Sequence, residues 1–434
     1  MTGTRPRVLP RVVVVGAGFG GLNAVHALTR AAVDVVLIDR NNHHLFQPLL
    51  YQVATAALAP SDIAAPIRSI FARHPNVEVL LGEVDGVDPA ARTVSVPGVG
   101  QISYDYLVLA TGAASTWFGH ADWAEYSTGL KSLRDAETLR QRLLGAFEWA
   151  ESRTDPADIQ RLLTFVVVGG GASGVELAGS IREMARYSLA RDFRRIRPDQ
   201  ARVVLFEGGP DVLAGFPDRL RDYARTRLQR LGVEVRTGVQ VERLDADGVV
   251  AGGERIACAN VFWCAGVAAT PVAEWLGAPA RKHGAVQVGP DCSVEGHPEV
   301  FAIGDVASFD GEGGHPLPGV APVAKQQGRY VGRLIAARVA GAAFPGPFHY
   351  KDQGSLAIIG RSAAVASLPH MKLTGFPAWL LWSCVHLLLL VGLRNRVLVY
   401  VQWVSAWLFY ARGARLMDTG IAGLRQAARE RKAT

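Results

Sequence analysis

The sequence contains four cysteines among 434 residues, and no two of them form a C-x-x-C pair. Four cysteines are too few to cross-link a chain of this length with disulfides, so we expect a reducing compartment and no zinc knuckle. The histidines and acidic residues add no group with metal-ligand spacing. We therefore predict that no metal is bound and that the four cysteines are small buried apolar side chains.

Long apolar runs are also scarce. The longest uncharged run near the C-terminus covers residues 376–393, slightly short of the ~20 apolar residues that a membrane-spanning helix needs. The N-terminal residues show no secretory signal. With 49% hydrophobic and 20% charged residues the chain can bury a core, which excludes disorder as its main character, and its length predicts two or three domains of ~150 residues.

The positive charge is confined to one end of the chain. The sequence has 46 Lys and Arg against 39 Asp and Glu, a net charge of +7 that first suggests nucleic acid as a partner. Residues 371–434 contain nine basic and two acidic residues, so the first 370 residues are neutral overall. Positive charge concentrated in an apolar, aromatic tail favours an anionic membrane surface as the partner and excludes nucleic acid.

Two stretches of the chain resemble each other. Residues 11–21 read RVVVVGAGFGG and residues 165–174 read FVVVGGGASG. Each joins a β-branched run to G-x-G-x-x-G and a small-residue helix, the order of a Rossmann unit, and the paired motifs predict two dinucleotide-binding lobes. The residues assigned to the two glycine turns are Gly16, Gly18, Gly20 and Gly21 in the first, and Gly169, Gly171, Ala172, Ser173 and Gly174 in the second.

Each lobe has an acidic residue at the end of its next β-branched run, Asp39 in the first and Glu207 in the second. A carboxylate in this position can bind both hydroxyls of an adenosine ribose and repel a 2′-phosphate, so NADH is favoured over NADPH. Further nucleotide-site residues are predicted beside the first acid and in the small-residue turns after two later strands: Arg40, Ala110, Thr111, Gly112, Ala265 and Gly266.

The order of these parts resembles the two-dinucleotide-domain flavoproteins of the glutathione-reductase type, in which an NAD domain is inserted into an FAD domain. The resemblance implies an α/β fold with two Rossmann-like domains and a C-terminal amphipathic helical segment that anchors to a membrane. The implied boundaries are 1–125 and 291–370 for the FAD domain, 126–290 for the NADH domain and 371–434 for the C-terminal helices. Residues 300–306 read VFAIGDV and predict a short buried strand with Asp305 at its carboxyl end. In that family the aspartate of a late G-D pair contacts the flavin, and Asp305 in FAIGDVA matches it. Cys258 and Cys264 lack the spacing of the disulfide reductases.

Several segments are similar to the type II, non-proton-pumping NADH:quinone oxidoreductases. They are IDRNNHHLFQPLLYQVATAAL (38–58), GGGASGVELAG (169–179), FEGGPDVLAGFP (206–217), VAPVAKQQGRYV (320–331), GSLAIIGR (354–361) and AWLLW (378–382). This resemblance covers nearly the whole chain. It implies non-covalently bound FAD, NADH as substrate and a membrane quinone as electron acceptor.

The same resemblance implies catalytic roles for Glu176, in substrate binding or proton transfer near the nicotinamide, and for Gln326, beside the flavin. The implied quinone-binding residues are Gln47, Pro48, Tyr51, Gln326 and Gln327. Pro322 stands where the family often has a second glutamine, so Gln326 acts alone or with Gln327. Plain structural roles also remain open, because Glu176 could complement a helix dipole and the two glutamines could be ordinary residues at a helix start.

The C-terminal segment has an aromatic pattern. Tyr400, Trp403, Trp407 and Tyr410 fall on one face of a helix, and Trp and Tyr prefer the lipid headgroup level. Helices lying in the membrane surface are therefore favoured, which would make the protein monotopic on the cytoplasmic face of the cell membrane. A buried hairpin or an interface with a second copy, giving a homodimer, is the first alternative, and spanning helices are the last.

These observations predict FAD-dependent oxidation of NADH with two-electron reduction of a membrane quinone, without proton pumping. Two other functions stay open. A sulfide:quinone oxidoreductase would need two cysteines that relay sulfur near the flavin. A non-catalytic, NAD(H)-sensing membrane flavoprotein would bind both nucleotides without turnover.

Overall fold

The computed structural model describes residues 9–311, 314–343, 346–409 and 412–417. The chain forms two compact units, each assembled from separate stretches. The first unit takes residues from the stretches 1–45, 64–114 and 267–353, and the second from 46–63, 115–266 and 354–434. Each unit is built around its own parallel sheet, described in turn below.

A six-stranded sheet forms the centre of the first unit. Its strands lie in the order Ser293–Val294, His297–Ala302, Tyr106–Leu109, Arg11–Val15, Asp34–Asp39 and Val77–Leu81. All neighbours pair in parallel except the first two. The β-branched run Val12–Val14 is completely buried in the middle of this sheet, as expected for a parallel strand covered on both faces.

Two helices of the first unit pack unusually closely. They are Phe19–Leu28, which follows the first glycine turn, and Ala321–Val339. A Cβ added to Gly328 would lie 2.0 Å from the Gly20 carbonyl oxygen, so no larger residue fits at this crossing. The remaining elements are the helices Ile67–Phe71 and Val272–Trp275, the 3₁₀ turns Lys282–Gly284 and Gly304–Val306, and the strands His43–Leu45, Ala64–Pro66, Gly86–Asp88, Thr93–Val96, Gly100–Ser103, Val286–Gln287 and Ala307–Ser308.

The second unit contains a five-stranded, all-parallel sheet. Its order is Ser127–Gly129, Asn260–Trp263, Thr164–Val168, Arg202–Glu207 and Val233–Thr237. Two antiparallel sheets accompany it, Val241–Asp245 with Gly248–Ala251 and Glu254–Ala257, and Ser355–Gly360 with Ala363–Leu368 and Met371–Thr374. Its helices are Leu50–Ala54, Pro60–Ile63, Trp123–Tyr126, Leu133–Glu151, Pro156–Leu162, Ala172–Glu183 and Asp218–Leu231, with short helical turns at Gln47–Leu49, Met184–Ser188 and Pro198–Gln200. The short strands Ala113–Ser115 and Val267–Ala269 lie where the chain passes from one unit to the other.

The C-terminal segment forms two helices, Gly375–Leu389 and Leu393–Phe409. Within the described ranges, no helix has both the length and the apolar character needed to cross a bilayer. The predicted aromatic stripe is divided: Tyr400 is exposed, whereas the Trp403 and Trp407 indoles donate hydrogen bonds to side chains of the same unit. Tyr410 and the basic residues after Met417 lie outside the described residues.

The predicted α/β fold with two Rossmann-like sheets is confirmed. Two details differ from the predictions. The strand expected over residues 300–306 ends at Ala302, and Asp305 lies in the 3₁₀ turn after it, because a positive φ of 72° at Gly304 ends the extended chain. Cys384 is exposed, so the prediction that all four cysteines are buried is wrong. It lies on the outward face of an apolar helix, where apolar character does not imply burial.

Candidate nucleotide sites and a tryptophan-lined cavity

The first glycine turn is packed too closely for side chains. Gly16 has a φ of +100°, and a Cβ there would lie 2.4 Å from the Ala110 carbonyl oxygen. A Cβ on Gly21 would lie 1.8 Å from the Gly16 carbonyl oxygen. The turn therefore requires glycine at both positions, which is what a sharp strand-to-helix connection demands.

The residues predicted to bind FAD gather at one edge of the first sheet. Four neighbouring parallel strands end there, and the residues at or after their carboxyl ends are Gly16, Asp39, Ala110 to Gly112, and Asp305. Asp39 accepts backbone N–H bonds from Ala17 at 2.6 Å and Asn41 at 2.7 Å. In open α/β sheets this carboxyl edge is where nucleotides bind.

The first glycine turn fits a dinucleotide. Gly18 is the N-cap of the helix Phe19–Leu28, and nothing in the protein lies within 4 Å of a Cβ added there. A pyrophosphate can therefore approach the backbone N–H groups of this helix N-terminus. Gly20 instead packs against Ile303, and the Arg40 side chain is exposed and pairs with Glu83 at 3.3 Å.

His44 supports the same turn and was not assigned from the sequence. Its Nδ1 lies 2.7 Å from the Ala17 carbonyl oxygen, which can only accept, so Nδ1 carries the proton. Burial lowers the pKa of His44, and the ring is therefore neutral at pH 7. This contact fixes the carbonyl between Gly16 and Gly18.

The second glycine turn repeats this geometry in the second unit. Gly169 has a φ of +109°, and a Cβ there would lie 2.6 Å from the backbone of Cys264. Glu207 accepts the N–H of Gly170 at 2.6 Å and that of Gly209 at 2.7 Å. Gly171, the N-cap of Ala172–Glu183, again faces open space. Ala172, Ser173 and Gly174 form the first turn of that helix, and Ala265 and Gly266 follow the neighbouring strand Asn260–Trp263. This turn also fits a dinucleotide.

Glu176 lies deeper in the same helix, on the side that faces the strand Ser355–Gly360. Gly179 lets the helix approach this strand very closely, since a Cβ there would lie 2.1 Å from the Ile359 carbonyl oxygen. The approach brings the Ile358 N–H to 3.2 Å from the Glu176 carboxyl, which accepts it. Glu176 is 8% exposed. It is therefore a buried group at the helix-sheet contact, and not an exposed partner of the helix dipole.

Burial raises the pKa of Glu176 to about 8, and the bond from Ile358 only partly opposes this. The carboxyl is therefore mainly protonated at pH 7, because loss of water disfavours the charged form. Burial also raises the pKa of Glu183, seven residues later on the same helix face, although the Arg361 N–H and Arg412 act in the opposite direction. Two carboxyl groups that resist ionisation thus lie on one helix.

Glu176 and Glu183 line a cavity of about 120 Å³ in the second unit. The cavity walls combine indole rings with hydrogen-bonding side chains from the helices 50–54 and 172–183 and the C-terminal segment. The remaining lining residues are Tyr51, Gln52, Ala57, Ser180, Ser188, Ile358, Gly360, Arg361, Trp379, Trp382, Ser383, Trp403, Ala406, Trp407 and Arg412. Indole walls together with hydrogen-bonding groups suit a flat ligand that has polar atoms at its edge.

Arg412 attaches the end of the C-terminal segment to this cavity. Its guanidinium donates to the Thr55 carbonyl oxygen at 2.7 Å, and to the Ser180 hydroxyl at 3.1 Å and carbonyl oxygen at 3.2 Å. The Ser180 hydroxyl also bonds that of Thr55 at 2.8 Å. These bonds join the C-terminal segment to two helices that border the cavity.

Three cavity residues form a hydrogen-bonded chain. The Trp403 indole N–H donates to Gln52 Oε1 at 2.7 Å, and Gln52 Nε2 donates to the Tyr51 hydroxyl at 2.9 Å. Burial raises the pKa of Tyr51 well above its usual value, so the phenol stays neutral. Glu176 is the largest charge contribution to that shift, which places the two groups near each other.

The other residues predicted for quinone binding are distributed over both units. Gln47 and Pro48 open the 3₁₀ turn before the Tyr51 helix and do not line the cavity described above. In the first unit, both amide atoms of Gln326 bond the Lys351 backbone, at 2.9 and 3.0 Å. Buried Gln327 accepts the Gly304 N–H at 2.8 Å and so holds the turn that carries Asp305. Pro322 occupies the first turn of Ala321–Val339, where proline is favourable.

Several cavity residues were not predicted from the sequence. Glu183 could have been found, because it repeats Glu176 after seven residues on a predicted helix. Gln52 directly follows a predicted residue, Tyr51. Arg412, Trp382 and Trp403 gave no such signal, since a long-range fold alone brings the C-terminal segment to residues 51–57 and 176–188.

Comparison with known proteins identifies the families that the chain is similar to. The family model of the pyridine nucleotide-disulphide oxidoreductases matches residues 10–328, and that of the NDH2 C-terminal domain matches residues 352–412. The chain is 44% identical to the type II NADH:quinone oxidoreductase NdhA of Mycobacterium tuberculosis over 93% of its own length and 88% of that protein.

Two solved structures have a similar fold. NDH2 of Plasmodium falciparum in complex with NADH has a TM-score of 0.84 at 20% identity, covering 93% of this chain and 99% of that chain. The sulfide:quinone oxidoreductase of Aquifex aeolicus has a TM-score of 0.71 at 18% identity, covering 93% of this chain and 96% of that chain. At these identities the likeness concerns the fold alone.

Proposed function

The chain belongs to the type II NADH:quinone oxidoreductases, and from this premise we propose how its residues divide the reaction between two nucleotide sites and one cavity. The enzyme oxidises NADH and reduces a quinone without pumping protons. NADH, a quinone and one proton from solution are converted to NAD⁺ and a quinol. FAD, when bound, supplies the two-electron transfer between the hydride donor and the quinone. The sulfide-oxidising and sensing alternatives are not favoured.

The first glycine turn holds the FAD pyrophosphate, and the second holds that of NADH. On this assignment the FAD domain covers residues 1–125 and 291–370, the NADH domain covers 126–290, and the helices of 371–434 form the C-terminal domain. The support is the open space beside Gly18 and Gly171, combined with the acids Asp39 and Glu207 at the next strand ends. Ala110, Thr111, Gly112 and Asp305 complete the FAD edge, and Ala265 and Gly266 complete the NADH edge.

The tryptophan-lined cavity holds the quinone. The observation that carries this proposal is a carboxyl with a pKa of about 8 inside an indole-walled cavity. Protonated Glu176 can donate a hydrogen bond to a quinone carbonyl oxygen, and then the proton that this oxygen needs as the quinol forms. Tyr51 offers a second hydroxyl. Gln47, Pro48, Gln326 and Gln327 remain proposed quinone-binding residues, as the family resemblance implies.

Filling the cavity tests this assignment. Ala406→Phe places a ring in the cavity and should slow flavin reoxidation by quinone about tenfold or more, because an overfilled cavity leaves no room for the substrate. Flavin bleaching by NADH under anaerobic conditions should be unchanged. With detergent-solubilised enzyme and a water-soluble quinone, which make membrane binding irrelevant, Val404→Phe is the control, since Val404 lies on the outward face of the same helix. Equal reoxidation rates in both variants would contradict the assignment of the cavity to the quinone.

The outward faces of the two C-terminal helices form the membrane-binding surface. Exposed apolar residues repeat there at helical spacing: Phe376, Leu380, Leu388, Leu393, Val397, Val401, Val404 and Leu408. In the same unit, the loop that follows the helix Ala172–Glu183 exposes Arg186, Arg191, Arg194, Arg195 and Arg197. Exposed apolar residues and exposed arginines in one unit suit an anionic lipid surface. Binding is peripheral, on the cytoplasmic face of the cell membrane where NADH is available.

Charged substitutions on this face should weaken membrane binding. Leu388→Asp combined with Leu393→Asp should reduce binding to vesicles containing anionic lipid by about tenfold or more, since each buried leucine contributes roughly 1.5–3 kcal/mol. Val99→Asp, which changes an exposed apolar residue of the first unit, is the matched control. If the double variant binds vesicles normally but no longer sediments as a dimer, the face instead pairs with a second copy.

A further inference from the structure

We propose that Trp403 and Gln52 fix the direction of the Tyr51 hydroxyl, so that its hydrogen points into the cavity and is donated to a quinone carbonyl oxygen. Trp403 and Gln52 are then positioning residues, and Tyr51 is the group that touches the substrate. The inference rests on the proposed quinone site.

The chain of bonds has one possible direction. An indole N–H can donate and cannot accept, so the Gln52 atom 2.7 Å from Trp403 must be the amide oxygen. The amide nitrogen of Gln52 therefore faces Tyr51 at 2.9 Å. An amide NH₂ can only donate, which obliges the Tyr51 oxygen to accept from it. The phenolic hydrogen of Tyr51 is left for another acceptor.

Burial makes this direction persistent. Tyr51 is 5% and Gln52 7% exposed, so little water reaches the pair to offer a competing bond. Both residues and Trp403 line the cavity together with Glu176. Two donors, the Tyr51 hydroxyl and the protonated Glu176 carboxyl, are thus held beside one space. A quinone has two carbonyl oxygens and no donor, which matches this arrangement.

Loss of the Trp403 indole N–H would leave the orientation of the Gln52 amide unfixed. With phenylalanine at position 403 the ring volume is largely kept, but the Gln52 amide can rotate by half a turn. The amide oxygen would then accept the Tyr51 hydrogen, and the hydroxyl would present lone pairs to the cavity. Two oxygen lone pairs that face each other form no hydrogen bond, so the quinone carbonyl would lose its partner and binding would weaken.

A double-mutant cycle tests the proposal in the full-length, FAD-loaded enzyme. Tyr51→Phe should lower kcat/KM for a soluble quinone by about 5- to 10-fold, the size of one neutral hydrogen bond. Trp403→Phe should lower it by about 2- to 5-fold on its own. In the Tyr51→Phe background, Trp403→Phe should have no further effect, because its action passes through the missing hydroxyl.

Trp407→Phe is the matched comparison. Trp407 lies in the same helix and lines the same cavity, but its indole N–H bonds Ser362 at 2.9 Å and not Gln52. Its effect on kcat/KM should therefore add to that of Tyr51→Phe.

Gln52→Met removes the amide but keeps a side chain of similar length, and it should have the same effect as Trp403→Phe. It replaces Trp403→Phe in the cycle if Trp403→Phe does not fold. Reduction of ferricyanide with NADH monitors the flavin without the quinone and should be unchanged in Trp403→Phe and Gln52→Met.

The outcomes distinguish failure of the quinone site from failure of the positioning role of Trp403 and Gln52. If Tyr51→Phe leaves quinone kinetics unchanged, the proposed quinone site fails and the positioning proposal fails with it. If Tyr51→Phe impairs quinone reduction but Trp403→Phe and Gln52→Met keep their full effects in that background, the site stands and the positioning proposal is overturned. Loss of the Trp403 effect in the Tyr51→Phe background, with an additive Trp407→Phe, supports it.

Discussion

Gly18→Val should yield a folded protein without flavin, and its NADH:quinone activity should fall below about 1% of the normal value, because the cofactor carries the redox chemistry. Gly18 has φ −69° and ψ −164°, an extended conformation that valine adopts readily. Nothing in the protein lies within 4 Å of the added Cβ. The substitution therefore harms only what occupies the space beside the turn, which we assign to the FAD pyrophosphate.

The equivalent change in the second glycine turn should abolish NADH binding and leave FAD binding intact. Gly171 has φ −68° and ψ −179° and also faces open space. Gly171→Val should keep FAD, visible in the absorbance spectrum, but NADH should no longer bleach it. Gly86→Val, another glycine with open space but in a strand away from both turns, is the control and should behave normally. Loss of flavin from Gly171→Val, with retention in Gly18→Val, would reverse the assignment.

Quinone reduction should decline as the pH rises through about 8, because Glu176 must be protonated to donate and its pKa lies near that value. Glu176→Gln should remove this decline and lower the rate by about 100-fold, a typical contribution of a positioned general acid. Glu148→Gln, an exposed glutamate of the helix Leu133–Glu151, should leave the profile unchanged. An unaltered pH profile in Glu176→Gln would exclude Glu176 as the donor.

The same group affects stability in a defined direction. The folded-state pKa of Glu176 is raised, so the native protein holds this proton more tightly than the unfolded chain does. The stabilising contribution of Glu176 is therefore fully present below the ordinary carboxyl pKa, and it falls by up to about 1.4 kcal/mol per pH unit until pH 8. Thermal unfolding of Glu176→Gln should show a smaller fall over this range than the unchanged protein.

The nucleotide-binding parts of the fold could be predicted because their signals are local. A glycine turn, the β-branched strand before it and the acid at the next strand end lie within residues 11–39 in the first unit and 164–207 in the second. Close packing alone requires glycine at Gly16, Gly21, Gly169 and Gly174. Asp39 and Glu207 were found in this way at the edges of the two parallel sheets. Family resemblance then supplied Glu176 and Tyr51, which the structure places in one cavity.

The rest of the cavity depends on contacts that the sequence does not encode locally. Trp403 is 351 residues from its partner Gln52, and Arg412 is 357 residues from Thr55. Periodicity placed Trp403 on an aromatic stripe facing lipid, although its indole is bonded inside the protein. A helical pattern identifies which residues share a face, but it does not say whether that face meets lipid or another part of the chain.

The cavity takes all four of its tryptophan walls and its closing arginine from residues 379–412. These residues leave the ribosome after both glycine turns have been made, and earlier segments can begin to fold before them. The proposed acceptor site is therefore completed after both nucleotide turns during synthesis. A nascent chain whose glycine turns have already folded has no finished cavity for a lipid-dissolved oxidant until residues 379–412 have also been made.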